Sequence, residues 1–155
     1  MPKLKAITWN AGAAAAENAA AHLPGLAQEY FRKGRALLQK RPSARTLHRF
    51  RLATKRFRYT LELFRPCYGP GLDQRLAKLR EIQGRLGEVS DCSATIELLG
   101  RTHRPFASFL KRRMAAKMGA LHSYWHTEFD AEGQETWWTQ YLARFARKQV
   151  RNEHH

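Results

Sequence analysis

Apolar residues recur at helical spacing along nearly the whole chain, and the register is clearest between Ser43 and Phe64. Leu47, Phe50, Thr54, Phe57, Leu61 and Phe64 step by three and four, which on a helix gathers them into one mostly apolar stripe. His48, Arg51, Lys55, Arg58 and Glu62 repeat that step one residue later, so an ionisable stripe lies beside the apolar one, with Tyr59 at its edge. Ser43, following Pro42, is placed to cap this helix, and Pro66 with the Gly69-Pro70-Gly71 turn stops it. At about 1.5 Å rise per residue, His48 to Arg58 spans roughly 15 Å of cationic ridge.

The flanking segments follow the same period. Leu26, Tyr30, Leu37 and Leu38 predict a helix that starts near Pro24, a first-turn proline, and runs to about Lys40. Leu72, Leu76, Leu79, Ile82 and Leu86 predict a third helix that closes near Gly84 and Gly87. Ser90 or Asp91 then caps a short helix through Ile96, Leu98 and Leu99 that ends at Gly100. Pro105 opens the next, with Phe106, Leu110, Met114, Leu121 and Trp125 as its buried line. Arg113 and Lys117 flank that line and are placed to join a groove, whereas Arg112 points away. Asp130 to Gln134 reads as a turn, and Trp137, Trp138, Tyr141, Leu142 and Phe145 as a last amphipathic helix. No segment alternates at period two, so the fold class is all-α: an antiparallel helical bundle with short connections. Residues 1–22 are Ala-rich and read as a flexible or loosely docked segment, 23–151 as the bundle, and 152–155 as a tail.

Charge narrows the function. The chain has 155 residues and a net charge of +15, and residues 32–65 hold twelve Lys or Arg against one acid, Glu62. Cations that dense on folded structure imply an anionic partner, and an aligned ridge suits an extended polyanion better than a small substrate. Cys67 and Cys92 are too few and too far apart for a disulfide framework, and no Cys/His cluster offers metal ligands, so no cofactor is expected. No run of about 18 apolar residues is long enough to span a membrane. The polar centre of the N-terminal segment argues against a signal peptide, so a cytoplasmic location is expected.

The stretch LHRFRLATKRFRYTLELF, followed by LREIQGRLGEVSDCSATIELL, resembles the CHAD family, the conserved histidine α-helical domain. The match is specific for Leu47 to Phe64, good for Leu79 to Leu99, looser elsewhere and absent over residues 1–22. The resemblance implies a non-catalytic helical protein that binds inorganic polyphosphate, in a family often linked to polyphosphate machinery and storage granules. It places the family's histidine at His48 and its basic positions at Arg51, Lys55, Arg56 and Arg58. Tyr59 and Glu62 match the motif's tail, and Leu86, Gly87 and Asp91 its second element. Ser90 stands where an Asn is more usual. The family usually has two such repeats and this chain has one, most like the second, so a homodimer is the arrangement that would rebuild a complete groove.

Guanidinium forks match phosphate oxygens and Lys adds a mobile point charge. His48 can donate a hydrogen bond to phosphate in either protonation state, or simply pack. Glu62, four residues after Arg58, reads as structural support that orients that guanidinium, and Asp91 as a cap or a partner for a groove arginine. Two other readings stay open on the residues alone. One is a nucleic-acid binder, although no helix-turn-helix or RNA-module signature is present. The other is an enzyme acting on phosphorylated substrates, although no paired carboxylates, Gly-rich phosphate loop or activated nucleophile accompanies His48.

Overall fold

The computed structural model describes residues 7–99 and 102–153, with side chains as far as Ala146. Among the described residues there are five α-helices and no strand: α1 Ala15–Leu38, α2 Ala44–Leu63, α3 Gly71–Leu99, α4 Arg104–Tyr124 and α5 Gln134–Glu153. A single 3-10 turn, Arg65–Cys67, follows α2, and a π-helical turn, Trp125–Phe129, prolongs α4. Helix α1 packs most extensively on α5 and also on α2; α2 packs on α3, and α3 on α4. The all-α bundle expected from the periodicity is what forms.

Helix α1 starts earlier than its apolar pattern suggested. Ala16, Ala19, Ala20, Leu23 and Ala27 are all buried. Alanine costs least in a helix and its small side chain lets a neighbouring helix approach closely. Pro24 therefore lies inside α1 rather than in its first turn, where it removes one hydrogen bond to the carbonyl of Ala20. The boundary drawn at residue 22 falls within this helix. The chain just before it is tied down as well: the Asn10 amide donates to Asn18 Oδ1 at 2.8 Å, and the Trp9 ring rests against Phe64 and His22.

Helix α3 is continuous through Gly84 and Gly87, so the third helix and the short helix after it are one element. Ser90 and Asp91 are interior positions and cap nothing. Leu79, Ile82, Leu86 and Val89 are fully buried on either side of the glycines, and that burial outweighs about 1 kcal/mol of lost propensity per glycine. The expected end at Gly100 lies outside the described residues.

The core is aromatic. Tyr30, Phe31, Phe50, Phe57, Trp125, Phe129 and Trp138 meet with ring centroids 4.7 to 6.0 Å apart. Gly34 makes this possible, because a Cβ there would overlap the Trp125 ring. The Thr54 hydroxyl donates to the Phe50 carbonyl at 2.8 Å, so the Tyr30 hydroxyl, 2.8 Å from Thr54 Oγ1, is the donor in that contact. Phe106 departs from its expected burial: it is exposed, and Ala107 and Leu110 are the residues that pack inward. At the opposite end, Arg75 is 3 % exposed and clamped between the rings of Trp137 and Tyr141, joining α3 to α5. Arg35 joins α1 to the start of α5 by pairing with Asp130 at 2.6 Å and Glu135 at 3.2 Å, and the Asp130 hydrogen bond raises its pKa.

Candidate anion-binding site

Ser43 caps α2 by accepting from the Thr46 amide at 3.1 Å, which sets the register of everything that follows. Leu47, Phe50, Thr54, Phe57, Leu61 and Phe64 are buried, so the ionisable row beside them is carried to the seam where α2 meets α3. Packing, rather than any attraction between the charges, holds the row in line.

At the N-terminal end of α2 the seam opens into a cleft of about 280 Å³, lined by Leu47, His48 and Arg51 on one side and Ser90, Asp91 and Glu97 on the other. His48 is exposed and Arg51 half-buried. The Arg51 guanidinium lies against Gly87, where a Cβ would come within 3.6 Å of Nη2. Arg51 makes no hydrogen bond or ion pair with the described residues, and its Nε is buried without a partner. One turn along, half-buried Lys55 is likewise without an ion pair among the described residues. Next, Arg58 stacks over the Tyr59 ring at 4.8 Å and stands 3.9 Å from Glu62 Oε1. Glu62 lies nearer to Arg80 of α3, at 3.2 Å, so its carboxylate is shared between two guanidinium groups. His48, Arg51, Lys55, Arg58 and Tyr59 thus share one side of α2.

Three expected members sit elsewhere. Arg56 is on the side of α2 that faces α1, where it lines a separate cleft of about 370 Å³ with Lys33, Glu29, Tyr30 and Trp9. Its position follows from the helical period, which turns it about 100° away from Lys55. Lys117 pairs with Glu88 at 3.0 Å on the side of α3 that faces α4, and neither it nor Arg113 lines the His48 cleft. Asp91 lines that cleft as an exposed interior residue of α3, with no described cation within ion-pair distance. Arg80, which reaches Glu62, is not among the residues that the sequence pattern singles out. Its signal is the seven-residue interval to Gly87, which puts both on one face of α3. Among the described residues no group of three or more His, Cys, Asp or Glu could hold a metal ion, and no helix is long and apolar enough to cross a membrane.

A helical bundle carrying a row of cations along a helix seam is the class of protein these features define. A family model described as CHAD domain matches residues 2–100, more than half of the chain, and the chain belongs to that family. The match begins well before residue 22, so the N-terminal segment is part of the family's extent, and it ends at α3, leaving α4 and α5 beyond it. No curated protein and no solved structure matches the chain.

Proposed function

We propose that this chain is a non-catalytic module that binds inorganic polyphosphate along the α2–α3 seam, with His48, Arg51, Lys55 and Arg58 as successive phosphate contacts. The observation that carries the reading is the state of Arg51 and Lys55: aligned by packing, yet given no internal counter-charge. A guanidinium left unpaired inside a protein is costly, and a phosphate oxygen removes that cost. Membership of the CHAD family supports the same ligand class. Asp91 and Glu97 on the far wall keep the bound anion to the His48 and Arg51 side by repulsion. A second copy meeting this one about a two-fold axis would lengthen the row, and long-chain polyphosphate would favour that pairing. The location that follows is a polyphosphate-rich body in the cytoplasm.

The test is binding as a function of polyphosphate chain length and salt. Long chains bind far better than orthophosphate, and affinity falls steeply with salt as counterions are released, by analogy with nucleic acids. Equal affinity for orthophosphate and long chains would overturn the reading. RNA or DNA displacing polyphosphate at equal phosphate concentration would transfer the site to nucleic acid. Release of orthophosphate that disappears in His48→Ala would make the site catalytic.

A further inference from the structure

Helix α4 lies beyond the stretch that the family match covers, and its charge has one sign. It carries Arg104, Lys111, Arg112, Arg113 and Lys117 and neither Asp nor Glu, whereas ordinary solvated surface mixes both signs. The same helix leaves large apolar side chains outside the core. Phe106 is 44 % and Phe109 48 % exposed, and Leu98, at the end of α3 just before the turn into α4, is 81 % exposed. The rings of Phe106 and Phe109 stack on one another with centroids 6.2 Å apart. At about 100° per residue, Phe106, Phe109, Arg112 and Arg113 fall within roughly a third of the helix circumference. Apolar and cationic groups therefore share one outward face.

That combination selects the partner. A second copy docking through the same face would set Arg112 and Arg113 against their own kind. A neutral protein surface would bury the arginines without counter-charge. Nucleic acid would use the arginines but gain nothing from Leu98. A bilayer surface rich in anionic lipid satisfies every group: the phenyl rings and Leu98 enter the boundary between headgroups and acyl chains, while the arginines meet lipid phosphates. We propose that the tip formed by the end of α3 and the first half of α4 docks this protein on anionic membrane surfaces, lying at the interface without spanning it. The inference uses no residue of the α2–α3 seam and stands apart from the polyphosphate reading.

The experiment is co-sedimentation of the full chain with vesicles of phosphatidylcholine alone and of phosphatidylcholine mixed with phosphatidylglycerol. The chain is expected to sediment with the mixed vesicles only. Phe106→Ser together with Phe109→Ser weakens that binding about tenfold with every arginine in place, which separates insertion from plain charge attraction. Leu98→Ser gives a smaller loss in the same direction, and its 81 % exposure keeps the test valid if the double variant loses its helical circular dichroism. Mixed-vesicle binding unchanged in these apolar variants would overturn the proposal. So would a chain that is dimeric by light scattering without vesicles and becomes monomeric in Leu98→Ser, which would make the face an interface between copies. RNA binding lost in the same variants would assign it to nucleic acid instead.

Discussion

Arg75 and Arg51 show how one side chain serves two ends of this molecule differently. Both meet helix–helix contacts involving α3, and both have a buried Nε without a described partner. Arg75 is closed on both faces, with Trp137 at 3.4 Å and Tyr141 at 3.8 Å from the guanidinium carbon, and it donates to the carbonyls of Gly71 and Trp137 at 2.9 Å. No described carboxylate pairs with it, and burial pushes its pKa down to about 10. Arg51 meets a glycine instead of a ring and opens onto a cleft. The surroundings of a guanidinium, more than its charge, decide whether it fastens the fold or waits for an anion.

Breaking the closed end has the largest effect. Arg75→Ala removes two ring stacks and two hydrogen bonds and leaves a void beneath Trp137, at a cost of about 3–5 kcal/mol. Denaturant unfolding measures it, and a variant within experimental error of the parent would show that the clamp is incidental. The open end behaves in the opposite sense. Replacing Arg51, Lys55 and Arg58 together by Ala leaves unfolding within about 1 kcal/mol of the parent, because Arg51 and Lys55 have no counter-charge among the described residues and the Arg58–Glu62 pair is a long one at 3.9 Å. It lowers long-chain polyphosphate affinity about 100-fold, or about 2.7 kcal/mol. If the triple variant melts instead, the row is structural and the functional reading fails.

The difference between these two ends was only half legible in the sequence. The α2 row stood out because an uninterrupted stripe and a serine cap announce the helix, and the ionisable residues keep its step. Arg75 was overlooked although it had a signal: it lies three residues after Leu72 and four before Leu79, inside an apolar stripe where an arginine must be compensated. The continuity of α3 was hidden because Gly84 and Gly87 are local stop signals, and only burial against α2 and α4 overrules them. Phe106 was misplaced for a related reason. Which face of α4 turns inward is set by the α3–α4 turn and its partner helix, and spacing within α4 cannot choose. The α2–α3 cleft itself depends on which residues of α3 stand opposite His48 and Arg51, a register no single helix encodes.

A smaller effect probes the closed interior through pH. Burial raises the Tyr30 phenol well above its ordinary pKa near 10, and Tyr68 is raised for the same reason. A folded-state pKa above the unfolded one means that the stability these phenols contribute is complete below about pH 10. It is lost as pH rises beyond that, because the unfolded chain then releases protons that the native state keeps. Tyr30→Phe costs about 1 kcal/mol near neutrality through the hydrogen bond to Thr54. It recovers about 1 kcal/mol by pH 11 as one term of the alkaline loss disappears. Unfolding midpoints from pH 8 to 11 should therefore converge for parent and variant. Parallel curves would mean that Tyr30 ionises in the folded state as readily as in water.

The finest division of the cations concerns Arg56, which the family motif places with the others and the helix turns away from them. Arg56 shares its side of α2 with Lys33 and Glu29 of α1, and Lys33 lies 3.6 Å from that carboxylate. An anion seated against Arg51 and Lys55 meets the opposite edge of α2, so Arg56 acts on it only through a screened field that fades over roughly 10 Å at moderate salt. Arg56→Ala should therefore change polyphosphate affinity by less than about twofold, while Arg51→Ala alone costs about tenfold. Raising salt should erase the Arg56 effect first, since direct contacts outlast long-range attraction. If instead Arg56→Ala weakens binding as much as Arg51→Ala at every salt concentration, the polyanion crosses the outer face of α2 between both clefts. The seam would then be one edge of a broader site.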